Sequence, residues 1–356
     1  MPRERSGAFA PGRVNLIGEH TDYNQGLALP FAITLGVTAS ATAWPSGAPE
    51  QERVSAYARD LDESDEFPLA EPSHAPGWRA FARGTVAELD RAGFPLVGAR
   101  LEITGELPQG GGLSSSAALE VALCLVLIEL GARASPARAK VPQRTELAQL
   151  CARVENDWVG AQTGLLDQLA SLYGAPDTAL CIDFRTLHID PVPLRLGSWR
   201  LVLLDSSERH VNASSGYNER RAECAQACRA LGVESLREVG AEQVTNLPEP
   251  LRRRATHVLD ENQRVREAVV ALRGDDLHAL GALLNASHQS LRENYEVSTP
   301  AVEGAVDRLR EAGASGARLV GGGFGGSVLG LLGPDAHLPA GAYKVHPGAG
   351  AHLLEP

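Results

Sequence analysis

The sequence predicts a soluble globular protein of mixed strand and helix, large enough for two domains, with a glycine loop feeding a buried helix. Three observations carry that expectation. The chain has 356 residues, enough for two cores of ordinary size. Apolar residues make up 44% of it and charged residues 22%, the balance of a folded rather than a disordered chain. Strand-like and helix-like patterns alternate along its length, with no internal repeat and no low-complexity tract.

In chain order, residues 6–43 read as strands and turns, with the apolar and β-branched stretch 27–42 punctuated by Gly26 and Gly36. Residues 44–77 are polar and rich in Pro, Glu and Asp, which fits exposed loops and short edge strands. Residues 78–92 carry Trp78, Phe81, Val86 and Leu89 at helical spacing. The run 100–104 reads as a strand entering the glycine loop. Residues 116–130 form a helix that is apolar nearly all round, hence buried. A second helix covers 145–159, and 175–204 is strand-rich, broken by Pro191 and Pro193. The stretches 218–231 and 264–284 read as helices, and 317–332 as strand, glycine turn, strand. The Pro-containing stretch near 191–197 is the best domain boundary, dividing 1–195 from 196–356, with the last residues packing back on the first domain.

The totals exclude several classes of function. A formal net charge of −11 argues against nucleic-acid or anionic-membrane partners, which need a basic footprint. The five cysteines are odd in number, sparse and without a CxxC pair, which fits a reduced cytoplasmic compartment. The N-terminus lacks an apolar signal core, and the longest clean apolar run, 121–128, is too short to cross a bilayer.

Four segments carry chemistry. The most informative is PQGGGLSSSAA at 108–118: a glycine loop, three hydroxyls and then an apolar helix. Glycines let the backbone approach a ligand closely, and the helix aims free N–H groups and a partial positive charge at the loop. Together these make an anion site, most simply for phosphate. The serines can add ligands to phosphate or Mg²⁺. No Lys follows the glycines, so this is not a Walker A loop; the chain has only Lys140 and Lys344. The same residues also fit a tight turn capping a helix through Ser114 or Ser115.

At 12–24, GRVNLIGEHTDYN sets a dense polar cluster after an apolar anchor. Glu, His and Asp within four residues suit a hydroxyl-rich ligand, although a solvated turn fits equally. At 155–168, ENDWVGAQTGLLDQ separates Glu155 from Asp167 by about 18 Å if helical throughout, at about 1.5 Å per residue. Gly160 and Gly164 allow the chain to fold back and bring both carboxylates to one site, with Asp167 opening a new helix over 168–173. The alternative is a capping Asp167 and a surface Glu155. At 321–327, GGGFGGS satisfies GxGxxG in form, but only thirty residues follow Gly326 and no βαβ unit can open there. A backbone loop closing over phosphate or sugar reads better, beside a simple hairpin.

Taken in this order, the four segments resemble the GHMP family of small-molecule kinases, and within it the branch that phosphorylates galactose. Ser215–Arg221 and His288–Leu291 extend the match, which runs from about residue 9 to 350. The resemblance implies two α+β domains, the first like the ribosomal-protein-S5 fold and the second ferredoxin-like, with the active site in the cleft between them. It implies transfer of phosphate from MgATP to the C1 hydroxyl of galactose by a cytoplasmic enzyme, a monomer or weak homodimer.

The resemblance also implies roles. Asp167 matches the catalytic aspartate and Arg13 the arginine beside it; a cation next to a carboxylate favours its charged form and stabilises phosphoryl charge. Glu19, His20, Asp22, Gly164 and Tyr217 match sugar-binding positions. Gly110, Gly111, Gly112, Leu113, Ser114, Ser115, Ser116 and Ala117 match the loop that holds the ATP phosphates. Ser116 and Glu155 match the Mg²⁺ ligands, with the choice between Ser115 and Ser116 open. Trp78 and Phe81 match an aromatic pair near adenine, the second commonly Tyr, and equally fit a helix packing into the core. Near Pro300 the usual acidic-Leu-Asp run reads Ala301-Val302-Glu303. Competing functions are phosphorylation of another small alcohol, such as N-acetylgalactosamine, mevalonate or homoserine, and a sugar sensor without turnover.

Overall fold

Small and β-branched residues over the first forty positions build the two longest strands. β1 (Arg5–Asn15) leads to a 3-10 turn at Asp22–Asn24; the short β2 (Leu27–Ala28) and then β3 (Pro30–Ala43) bring the chain back antiparallel to β1. The structure, a computed structural model, describes residues 5–108, 111–161, 163–208 and 213–355, without the side chains of 213–215. The polar segment after β3 forms β4 (Arg53–Ala58) and β5 (Glu63–Pro68), followed by helix α1 (Trp78–Arg91) and strand β6 (Ala99–Gly105). These strands join one six-stranded sheet, in which β4 runs parallel to β6.

Helix α2 (Ser115–Ala134) lies on this sheet against β1 and β3. At 20 residues it is long and apolar enough to cross a membrane by length and composition, but most of it is buried in the protein core. Helix α3 (Arg144–Arg153) runs into a π-helical turn at Val154–Val159, and the chain then turns back into α4 (Leu166–Tyr173). Strands β7 (Thr178–Asp183) and β8 (His188–Pro193) form a three-stranded sheet with β2.

The second half begins with β9 (Arg200–Asp205), α5 (Ala213–Leu231) and α6 (Ala241–Thr245). Next come α7 (Leu251–Arg273) and α8 (Leu277–Glu293). The sequence reading placed one helix over 264–284. The chain instead breaks at Gly274–Asp276, where Asp275 takes a left-handed φ of 55° and the Asp276 side chain caps α8 by accepting from Ala279 N at 2.9 Å. Apolar spacing continues across the break, which hid it. The remaining elements are α9 (Pro300–Glu311), β10 (Ala314–Leu319), β11 (Ser327–Leu332), β12 (Tyr343–Val345) and β13 (His352–Leu354). β13 pairs with β1 at the edge of the first sheet.

Strand periodicity explains how the two cores meet. The four-stranded sheet β10-β11-β9-β12 is buried on both faces. Leu201, Leu203, Leu329 and Leu331 point into the core shared with the first sheet, while Val202, Leu204, Val328 and Leu332 point into the core under α5, α7 and α9. Successive side chains on a strand face opposite ways, so one strand serves both cores.

Candidate active site

The site starts from an irregularity in β1. Its register against β3 shifts between Pro11 and Arg13, and there the glycine–serine loop crosses the strand: Arg13 N donates to Leu113 O at 3.1 Å. A Cβ on Gly12 would stand 2.6 Å from Leu113 O, so glycine is needed for this crossing. The bulge re-aims the Arg13 side chain, a common use of such features near sites. Arg13 Nε donates to Asp167 Oδ1 at 2.9 Å, NH2 lies 2.7 Å from the same oxygen, and NH1 donates to Gly112 O at 2.5 Å.

Ser114 is the residue before α2 and has a left-handed φ of 60°. Its hydroxyl does not cap the helix; it donates to Asp167 Oδ2 at 2.5 Å. Thus β1, the serine loop and α4 meet at one carboxylate. Asp167 sits in the first turn of α4, next to the positive end of the helix dipole.

A cavity of about 300 Å³ opens beside this pair, at the low end for small-molecule pockets. Arg13, Glu19, His20, Asp22, Gly164, Asp167, Tyr217 and Gly321–Gly323 line it. The cluster at 18–24 is therefore not a solvated turn: Glu19, His20 and Thr21 are buried. Glu19 Oε1 accepts from Gly321 N at 2.8 Å and Oε2 from Asn15 Nδ2 at 2.9 Å. Burial, helped by nearby His257, pushes the His20 imidazole down to about 3, so the ring is neutral. Its Nδ1 lies 2.8 Å from the Tyr23 hydroxyl; its buried Nε2 makes no well-formed hydrogen bond among the described residues, and the Gly322 backbone interacts with the ring. Burial pushes Asp22 up to about 6; the Tyr23 N–H opposes this, and Asp167 and Glu19 add to it.

Glu155 and Ser116 sit behind Asp167 rather than in the cavity wall. Glu155 is buried, accepts from Thr163 Oγ1 at 2.6 Å and Gln168 Nε2 at 2.9 Å, and hydrogen-bonds the Ser116 hydroxyl. Burial and the charge of Asp167 push its carboxyl up. Ser115 is exposed, and Gly111, Gly112, Leu113 and Ala117 form the loop and first turn of α2. Gly110 lies outside the described residues. Trp78 begins α1, away from the cavity wall; its indole donates to Glu63 Oε2 at 2.8 Å, beneath the Arg79 guanidinium.

Several residues at the site went unnoticed in the sequence. Thr163 and Gln168 lie within the 155–168 segment and hold Glu155; Gln168 also reaches the buried Glu120 of α2 at 3.4 Å. Helix α7 holds the 18–27 loop from the other half of the chain. Glu261 Oε1 accepts from Gly18 N at 3.0 Å, Asn262 Oδ1 from Leu27 N at 2.7 Å, and His257 Nε2 donates to Glu19 O at 3.2 Å. Of the supporting segments, Tyr217 reaches the cavity, whereas His288 is buried 3.1 Å from Glu303.

A galactokinase galactose-binding signature matches residues 2–43, the GHMP kinases N terminal domain matches 80–175, and the GHMP kinases C terminal region matches 268–346. The chain is 44% identical over 333 residues to a galactokinase of Mycobacterium tuberculosis, covering 92% of this chain and 88% of that protein. It is 40% identical over 321 residues to a galactokinase of Thermotoga petrophila, covering 90% and 87%. Lactococcus lactis galactokinase, solved with galactose, superposes with a TM-score of 0.89 at 34% identity over 98% of this chain and 95% of that one. Methanococcus jannaschii mevalonate kinase superposes with a TM-score of 0.68 at 17% identity, over 98% and 99%, a likeness of fold alone.

Proposed function

Because the chain belongs to the galactokinase family of GHMP kinases, we propose how its residues carry out the ATP-dependent phosphorylation of galactose. The observation that carries the proposal is the Arg13–Asp167 pair at the wall of a small cavity whose lining also includes Glu19, His20, Asp22 and Tyr217. Those four groups hold the sugar by its hydroxyls, with the neutral His20 Nε2 free to take one. The C1 hydroxyl then lies against Asp167, which accepts its proton as transfer proceeds. Arg13 reaches both Asp167 and the loop carbonyl of Gly112, so it stands where acceptor and phosphate meet and offsets charge on the transferring group. Phosphoryl transfer asks mainly for positioning and charge stabilisation, which this arrangement supplies.

The loop from Gly111 to Ser116 and the start of α2 hold the ATP phosphates, and Trp78 is assigned to the adenine end. Mg²⁺ fits Ser116 and Glu155. Among the described residues no group of three or more His, Cys, Asp or Glu could hold a metal alone, and a hydroxyl with one carboxylate suits an ion that keeps its other positions for phosphate and water. Ser116 is chosen over Ser115 because it hydrogen-bonds Glu155 while Ser115 is exposed. When bound, the ion neutralises phosphate charge. The carboxyl of Glu155, pushed up by burial beside Asp167, is the kind of group that a divalent cation stabilises. We place the domain division near residue 195, after β8, with β13 returning the chain end to the first sheet.

An ATP-consumption assay over a sugar and alcohol panel tests this. Galactose should be the best acceptor, N-acetylgalactosamine poor, and mevalonate and homoserine inactive. Faster turnover of any of these three, or none with galactose, overturns the proposal. A second test concerns the sugar wall. A Cβ on Gly164 would stand 2.1 Å from Asp22 Oδ2 and 2.9 Å from its Cγ, so Gly164→Ala must displace Asp22. A misplacement of about 1 Å can cost about 10²-fold. The galactose KM should rise by about that much while the ATP KM holds; an unchanged galactose KM removes Asp22 from sugar binding.

A further inference from the structure

We propose that Arg318 is a positioning residue for sugar recognition, fixing the Glu19 carboxylate at the cavity wall so that it selects one galactose hydroxyl. The inference rests on the assignment of Glu19 to sugar binding. Arg318 lies on β10, three residues before the glycines of the cavity wall, and is fully buried. Burying a guanidinium is costly unless it is paired and hydrogen-bonded. Its NH2 lies 3.0 Å from Glu19 Oε1, and Glu19 is the one carboxylate in ion-pair contact with it among the described residues. Its NH1 donates to Asn15 O at 2.9 Å and Leu16 O at 2.8 Å, the backbone immediately before the sugar loop.

Arg318 therefore ties together the end of β1 and the side chain four residues further on. The other contacts complete the hold. Gly321 N donates to Oε1 and Asn15 Nδ2 to Oε2, while the Arg318 NH2 faces Oε1 as the charge of an ion pair. A carboxylate restrained at both oxygens cannot swing to follow a misplaced hydroxyl, and a site built around a fixed acceptor rejects analogues that lack the matching group. Only a planar fork reaches two carbonyls and a carboxylate together. A lysine keeps the charge but, as a point donor on a flexible stem, not the geometry.

The test uses the whole enzyme and the variants Glu19→Gln and Arg318→Lys, assayed with galactose and with galactose analogues each lacking one hydroxyl. Losing one charge-assisted hydrogen bond is expected to raise the galactose KM about tenfold or more in Glu19→Gln and to abolish discrimination against one deoxy sugar. Arg318→Lys should reproduce that signature at the same hydroxyl, with the galactose KM up about tenfold and the ATP KM within about twofold. Discrimination left intact in Arg318→Lys, with kcat and both KM values shifted together or only the melting temperature lowered, overturns the inference. So does failure of Arg318→Lys to fold, which would assign the residue to the architecture. A Glu19→Gln variant with unchanged sugar kinetics instead defeats the reading of Glu19, a result distinct from either.

Discussion

Asp167→Asn is expected to lower kcat by about 10³-fold, within the range for a positioned general base, while the galactose KM stays within about threefold. The substitution preserves volume and leaves an oxygen that can still accept from the Ser114 hydroxyl. What it removes is the charge that faces Arg13 Nε and NH2 and, on the proposed mechanism, the group that takes the C1 proton. On the proposed assignment Glu19, His20, Asp22 and Tyr217, which line the cavity, hold the sugar, so binding should survive. Steady-state kinetics with calorimetric titration of galactose separates the two quantities. Turnover within about tenfold of the parent would mean that Asp167 only orients the sugar, since a loose, metaphosphate-like transfer asks little of its nucleophile. Loss of galactose binding would place Asp167 in the sugar wall instead.

The contiguous parts of the site were legible in the sequence because contiguous residues share one loop. The cluster from Gly18 to Asp22 needed only burial to become a pocket wall, and the glycine–serine loop needed only its helix. The approach of Glu155 to Asp167 was legible as a possibility, since Gly160 and Gly164 interrupt the helical pattern. The structure adds how it happens: a π-helical turn at Val154–Val159, a return at Gly160, and Gln168 and Thr163 closing on the carboxylate. Contacts between distant segments left no local signal. Arg318 meets Glu19 across some three hundred residues, and nothing in ASGARL marks a buried guanidinium. Helix α7 looks like an ordinary amphipathic helix, yet His257, Glu261 and Asn262 hold the 18–27 loop through its backbone groups. Such contacts depend on which loop the fold brings alongside, and side-chain spacing does not encode that. The break between α7 and α8 was missed for the opposite reason: one apolar stripe continues across it.

Arg13→Ala should slow turnover by about 10³-fold or more, the scale on which an arginine at a transferring phosphoryl group acts. Arg13 is almost fully buried, and its side chain serves two partners: Asp167 Oδ1 through Nε and NH2, and the Gly112 carbonyl through NH1. Arg13→Lys retains the charge but cannot span the carboxylate and the carbonyl together, so it should recover only part of the loss. The informative measurement is the double variant with Asp167→Asn. If the two side chains work as one unit, removing either already disables the other, and the double variant should be about as slow as the slower single one rather than slower by the product. Factors that multiply would show two independent contributions, with Arg13 acting on the phosphate alone and Asp167 on the sugar alone. The shared oxygen at 2.7–2.9 Å argues for the unit: an arginine that served only the phosphate would have no reason to commit two donors to Oδ1.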